Sequence, residues 1–567
     1  MSVLKFLVEE IGVNLDIKCR SPSQGIQEHI FVPSGGPLHQ VAAGGSWWHV
    51  AKALPYLIKM GANVELRDDD GATPLQSALS GSPYSGPFHK DSAKLLIECG
   101  ADVNAVDAKG MTCLAKAGGD LTLVKLLMAN GATVTASDIF SAIGLEQVGK
   151  LEVLLAQGDY ANLRMPGPGK ICKSRSRGIR VVDTEVSPLL HVLGYGTPTM
   201  CQPEDISRGT RMVKTLLNHG ADLYAYFSKD VRVLKEGYDD HSDMDESEEL
   251  DVWEPQTTTV IHEFLRTGLL IEPLFHLPFL DLELRDSSGE TLLLAACRSY
   301  ETLNTEIHCA QGQETVTKTV LQELIDRGAD VAARDNYGKN IFHYIGLYYP
   351  GNDFAETRTA IIEKNPNLIH RPDLAGDTFF HEILRQHAFQ YMDEFWELGA
   401  NPLQPDSHGN TALHYLADEL SPDPERKSHF DHFRKFLAAG VDINAKNRKG
   451  ETPLFRYVLQ NSDHWVFPSD EEGPSRPCFD FFQESGVDFL ARNNAGSTLL
   501  HLVASLRSHR KFKEKEAVEY EVQSFIILMS MGLDPMAEDM QQRTSLDVAA
   551  ACGSEHILKL FERKPMD

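Results

Sequence analysis

The chain has 567 residues, 42% hydrophobic and 24% charged, which is the composition of a folded globular protein with length enough for three or four ordinary domains. Its 54 Lys and Arg stand against 81 Asp and Glu, and the net charge of −27 argues against general affinity for nucleic-acid backbone or anionic membrane, though not against local basic patches. Nine Cys with no CxxC pair or zinc spacing read as buried thiols in a reducing compartment, the N-terminal MSVLKFLVEEIG lacks a signal-peptide pattern, and no apolar run reaches the ~18 residues of a membrane span; a cytoplasmic or nuclear protein, not secreted, is expected.

In chain order, residues 3–16 read as an outer helix running into a hairpin, so the chain opens mid-unit. Thirteen inner-helix candidates follow, beginning near Pro37, Pro74, Cys113, Asp138, Pro188, Val260, Leu292, Ile341, Phe379, Ala412, Pro453, Leu499 and Ser545. Seven times a Gly that closes an apolar helix pattern is followed twelve residues later by Thr or Asn at an inner-helix start, as in Gly61 to Thr73 and Gly440 to Thr452. The return distance is elastic: 21 residues from Thr378 to Gly399, but 34 from Thr452 to Gly486. A fixed half alternating with an elastic half predicts a solenoid.

The unit from Asp406 to Asn444 shows why. Thr411 is a helix N-cap, with Leu413, Leu416 and Ala417 at helical spacing behind it. Phe433, Phe436 and Leu437 mark one face of a second helix, and Gly440 stands where a left-handed C-terminal residue is needed. An extended segment with a turn follows, in which Asn447 and Gly450 have turn chemistry. Asp or Asn precedes Gly by three residues at seven further tips, from Asp68/Gly71 to Asn493/Gly496.

These residues resemble the ankyrin repeat, a hairpin turn followed by a short inner and a longer outer helix, roughly 33 residues in all. GNTALHYLA (409–417), GSTLLHLVA (496–504) and GETPLFRYV (450–458) are similar to that family's TPLH segment, and GADVNAVDAKG (100–110) and GVDINAKNRKG (440–450) to its hairpin. About nine of the candidates are specific matches; those near Asp138, Pro188 and Val260 are degenerate. The resemblance implies an all-α solenoid of stacked helix–turn–helix units with β-hairpin loops, elongated and curved. Three stretches are expected: repeats over 1–160, degenerate repeats with two charged loops over 161–290, and repeats closed by a charged terminal helix over 291–567.

Most extra residues fall between inner and outer helix, at 80–90, 194–210, 298–316, 346–356, 418–428, 460–476 and 505–518, where a surface loop lengthens at little entropic cost. Two breaks instead enlarge the hairpin half. RMPGPGKICKSRSRGIR (164–180) carries Lys170, Lys173, Arg175, Arg177 and Arg180 with no acid, and reads as a solvated loop, a nuclear-import signal, a nucleic-acid contact or a kinase site at Ser174 or Ser176. YDDHSDMDESEELDVWE (238–254) has nine acidic residues in seventeen, and reads as a solvated linker, a partner anchor through Leu250 and Trp253, or a strip that folds back on the basic loop.

No chemistry emerges. His39, His191, His262, His343, His381, His414 and His501 recur at one position of the unit, which marks scaffold rather than catalysis, and neither His262–Glu263 nor His381–Glu382 is followed by the second His of HExxH. GPGK lacks the spacing of a P-loop, and the Asp68–Asp69–Asp70 triplet sits at a turn that favours Asp. No cofactor or metal is expected. The resemblance implies a non-enzymatic scaffold or adaptor that binds proteins, not nucleic acid or membrane, through its concave face and hairpin tips. A transcription coregulator or signalling adaptor is the second reading, and an enzyme with a site in 138–275 the third. The expected contact residues are Arg67, Asp69, Lys109, Tyr337, His408, Arg448, Lys449, Arg492 and Asn494, whose mixed charges point to a specific partner rather than a charged polymer.

Overall fold

The structure, a computed structural model, describes residues 2–18, 35–43, 52–80, 89–166, 171–173, 178–181, 185–193, 203–233, 252–268, 270–298, 302, 306–311, 314–345, 361–385, 389, 392–397, 399, 401–420, 427–460, 476–506 and 514–561. An inner helix begins at Pro37, Pro74, Cys113, Pro188, Val260, Leu292, Ile341, Phe379, Ala412, Pro453, Leu499 and Ser545, each where the sequence spacing puts it. The helix expected near Asp138 begins at Ala136, because Thr135 caps it. These helices are short, four to nine residues, so their stability comes from packing rather than from propensity.

The chain forms two compact units: Met1–Lys235 with Glu248–Asp281 and Thr305–Lys318, and Glu236–Ser247 with Leu282–Asn304 and Thr319–Asp567. In the first, the inner helices Pro37–Ala43, Pro74–Ser80, Cys113–Lys116, Ala136–Gly144 and Pro188–Val192 each pack on the next, and the outer helices from His89–Glu98 to Pro203–Asn218 do likewise. In the second, the same succession runs from Leu292–Ala296 through Ile341–Ile345, Phe379–Arg385, Ala412–Asp418, Pro453–Gln460 and Leu499–Ser505 to Ser545–Cys552. Nearest-neighbour packing of this kind is what defines a repeat solenoid.

The expected core faces are inside. Leu413, Leu416, Ala417, Phe433 and Phe436 are buried, and the ring of Phe482 meets Phe433 at 5.8 Å and Tyr457 at 5.2 Å between centroids. Burying each of these large side chains is worth roughly 1.5–3 kcal/mol. Gly440 has φ +94 as the helix terminus requires.

The all-α expectation needs amending in the interrupted region. Strands β1 (Met165–Pro166), β2 (Ile171–Lys173), β3 (Gly178–Val181), β4 (Glu185–Val186), β5 (Tyr226–Val233) and β6 (Val252–Thr259) occupy the two enlarged hairpins, and β7 (Glu306–Gln311) and β8 (Glu314–Thr319) the link expected as loop at 298–316. Each enlarged hairpin closes at its root, Met165 pairing with Val186 and Tyr226 with Thr259. Further out, the two hairpins join in one antiparallel sheet of order β2-β3-β5-β6, with Ile179 opposite Val231. The register puts Lys173, Gly178, Val233 and Val252 at one end of that sheet. Residues 234–251 and most of the remaining links lie outside the described residues.

Candidate interaction surface at the hairpin tips

Each tip is built by one side chain. The Asp or Asn that opens the turn accepts two backbone N–H groups with the same Oδ1, two and four residues on: at Asp68 from Asp70 and Ala72 (2.9 and 2.8 Å), and at Asn447 from Lys449 and Glu451 (2.9 and 3.0 Å). The Asp68 triplet therefore holds a turn. Among the described residues no group of three or more His, Cys, Asp or Glu is placed to hold a metal ion.

Neighbouring tips are joined through their backbones. Leu374 N donates to Tyr337 O (2.9 Å), Arg448 N to His408 O (2.8 Å), Asn494 N to Lys449 O (3.0 Å) and Met540 N to Ala495 O (3.0 Å); Ala108 and Asp70 do the same in the first unit. A second staple comes from the residue before the turn. Arg67 Nη1 donates to Gly71 O in its own tip and to Val106 O in the next (2.7 and 2.5 Å), and Arg285, Arg334 and Arg492 repeat the pattern, with Lys446 reaching Arg492 O.

Behind the tips, the residue three after the helix cap closes the cap and reaches the next hairpin. His414 Nδ1 accepts from Thr411 N (3.0 Å) while Nε2 meets Glu451 O (3.1 Å); His343, His381 and His501 do likewise, each reaching the following hairpin. Gln76 does both jobs with its amide. Asp138 accepts from Thr135 N and from the hydroxyl of Thr112. An acceptor at Nδ1 requires the neutral ring. Burial pushes His414 and His191 down to about 4, and holds His39 and His343 below the usual imidazole range despite the carbonyls that Nε2 meets. The scaffold reading of this histidine is what the geometry shows. Burial likewise pushes the Cys113 thiol up to about 12 and Cys478 to about 11, which disfavours the nucleophilic thiolate.

Beneath the tips of the second unit lies a buried polar cluster that sequence reasoning missed. Arg385 bonds Asp377 (2.5 Å) and Glu382 (3.3 Å) and approaches Asp406 (3.6 Å), while Tyr415 donates to Asp406 (2.5 Å) and Ser407 to Asp377 (2.8 Å). Burial alone would raise the Asp377 carboxyl; the Arg385 guanidinium and the Ser407 bonds outweigh it and hold the group below the carboxylate range. Lys150 in the first unit, also missed, is buried with Nζ 3.3 Å from Ala115 O, and burial pushes it down to about 8.

All nine expected contact residues stand exposed at or beside tips. They divide by what already holds them. Arg67 and Arg492 bind backbone as above, Asn494 Nδ2 donates to Arg448 O, and Lys109 pairs with Asp70. Among the described residues Asp69, Tyr337, Arg448 and Lys449 make no such side-chain bond, and His408 lies 3.3 Å from Ser407 Oγ. Leu374, 76% exposed, was not among the nine although it fills the same turn position after Asp373. Of the charged hairpin, Lys173 lies in β2; Lys170, Ser174, Arg175, Ser176 and Arg177 lie outside the described residues.

Residues 38–138 match the family model described as ankyrin repeats, three copies. Over 101 residues the chain is 41% identical to mouse "Ankyrin repeat and SOCS box protein 16"; that stretch is 17% of this chain, and it spans about a fifth (21%) of the length of that relative. The chain thus contains ankyrin repeats over 38–138, and the same capped inner helix and Asp- or Asn-built tip recur beyond that stretch through both units.

Proposed function

We propose that this chain is a non-enzymatic scaffold or adaptor that captures protein partners on its hairpin tips and the adjoining inner-helix face. The observation that carries the reading is the row of exposed side chains on tips most of which are bonded to the next through backbone, a surface already ordered before a partner arrives. No helix among the described residues is long and apolar enough to cross a membrane. Helix Pro203–Asn218 packs on both Val148–Leu155 and Glu272–Phe275, so stacking runs through the stretch where a catalytic site was considered. We keep the three-part division at 160 and 290, the cytoplasmic or nuclear compartment, and the role of Lys170 to Arg177 in localisation or regulation as parts of this reading. A coregulator or signalling-adaptor role is its narrower form.

Affinity capture from a native extract with the full chain, read by mass spectrometry, tests the proposal. A variant with Tyr337→Ser, Arg448→Ser and Lys449→Ser should lose specific partners while keeping its helical circular dichroism. Unchanged capture would move the binding face elsewhere. Arg492 is left alone in that variant because it holds backbone.

A further inference from the structure

We propose that the tips from Tyr337 to Lys449 take an extended peptide segment in which a cluster of acidic side chains stands beside an aliphatic or aromatic one. This deepens the interaction reading above and rests on it. One end of the row is apolar. Tyr337 is 54% and Leu374 76% exposed, and the Leu374 N–H on Tyr337 O (2.9 Å) makes them neighbours. Two exposed large apolar side chains on adjoining tips form an anchor for a single apolar residue of a partner.

The other end is basic. Arg448 and Lys449 are exposed, and among the described residues neither meets a carboxylate. The tip cations elsewhere differ: Arg67, Arg334, Arg492 and Lys446 bind backbone carbonyls, and Lys109 pairs with Asp70. In a chain with 81 acidic and 54 basic residues, two adjacent cations without an acid partner are complementary to acidic side chains supplied from outside. Exposed His408, bonded through its carbonyl to Arg448 N, stands between the two ends.

The tip ladder is interrupted midway. Elsewhere in the row the third turn residue gives its carbonyl to the next tip; here Ser407 N donates to Asp377 Oδ1 instead (2.6 Å), and no described donor meets Ala375 O. That carbonyl, beside Leu374, is open to a backbone N–H of an extended peptide. A duplex nucleic acid or an anionic lipid surface fits less well. Either would need a broad basic field, and the net charge of −27 opposes both.

The test is selection from a displayed random-peptide library on the full chain, then fluorescence anisotropy with the enriched sequences made synthetically. Enriched peptides should pair several Asp or Glu with an aliphatic or aromatic residue. Their affinity should fall at least about tenfold in Arg448→Glu/Lys449→Glu, fall severalfold in Tyr337→Ser/Leu374→Ser, and weaken with salt. Peptides without acidic clusters, or affinity unchanged in the charge-reversed variant, would overturn the proposal. So would anionic vesicles or duplex DNA binding the wild-type chain through the same doublet more tightly than any peptide. If the charge-reversed chain still captures the wild-type set of native proteins, this inference falls and the interaction reading stands. If neither chain captures any, the interaction reading itself falls.

Discussion

Two regions of this protein solve the same problem at different lengths. Around Asn447–Gly450 a tip is a tight turn that touches each neighbour through one backbone hydrogen bond, Arg448 N to His408 O on one side and Lys449 O to Asn494 N on the other. Between Met165 and Thr259 two successive hairpins have grown into fingers, and the single bond has become the β3–β5 ladder. The inner helices they feed are unchanged: Ser187 accepts from Leu190 N, and Thr259 leads directly from β6 into its helix. A tip bonded to its neighbours cannot lengthen alone without leaving backbone groups unpaired. Two adjacent tips lengthening together can, because each supplies the other's partners. Elsewhere the extra residues sit between inner and outer helix, where a surface loop lengthens at little entropic cost.

The strongest way to break the short-tip region is from beneath. Arg385→Ala would leave Asp377, Glu382 and Asp406 buried around no cation, and a loss of about 3–5 kcal/mol is expected. Urea unfolding followed by circular dichroism reads it; a loss under about 1 kcal/mol would mean that the cluster relaxes into solvent. Next comes the ladder. Gly440 and Gly450 both have left-handed φ, +94 and +77, so Ala strains either backbone by about 1 kcal/mol. Only at Gly450 would the new Cβ also strike the next tip, 2.5 Å from Asn494 N, whereas at Gly440 nothing lies within 4 Å. Gly450→Ala is expected to cost about 3 kcal/mol and Gly440→Ala about 1. Equal costs would show that contact between tips contributes nothing to stability.

Most of the fold was legible because each device has a local signature. Thr411 with His414, Asn447 with Gly450, and the closing Gly440 are read at short spacing, and the inner helices begin where those spacings put them. The sheet was not legible. Val231, Glu254 and Ile179 are brought together by pairing between two hairpins, and nothing within either hairpin specifies it. The nine tip residues could be placed on the surface from the turn rule, but not sorted. Arg67 and Arg492 have the same recurrence before a turn that marked the histidines as scaffold, and that signal was present in Arg285 and Arg334 too. Arg385 and Lys150 gave no signal, because what makes each of them matter is burial against residues distant in the chain.

The histidine caps sharpen the comparison through pH. His414, His343 and His39 have pKa values lowered by burial, so the unfolded chain binds more protons than the folded one as pH falls below the ordinary imidazole value of ~6.5. Their contribution is present above that pH and is lost as pH falls toward the folded value, about 4 for His414. Arg456 opposes the protonated His414 ring, and Asp406 favours it. His414→Gln should keep both bonds, as Gln76 does, without the proton, and so regain about 3 kcal/mol at pH 4 relative to its effect at pH 7. Melting temperatures across pH 7 to 4 decide this; parallel curves for the two chains would place the acid sensitivity elsewhere.

The smallest effect separates two arginines on adjacent tips. Arg492 donates to Gly496 O and Glu538 O, so Arg492→Ala removes hydrogen bonds that link one hairpin to the next, and a loss of about 1 kcal/mol is expected. Among the described residues the exposed Arg448 guanidinium makes no hydrogen bond or ion pair, and Arg448→Ala should stay within about 0.5 kcal/mol of wild type. Partner binding should sort them the other way. Loss of Arg448 weakens capture at native stability, whereas loss of Arg492 weakens it only as far as the row loosens. If Arg448→Ala destabilised the fold as much as Arg492→Ala, the division of the tip residues into backbone staples and free contacts would be wrong, and with it the reason for locating the binding surface at this end of the row.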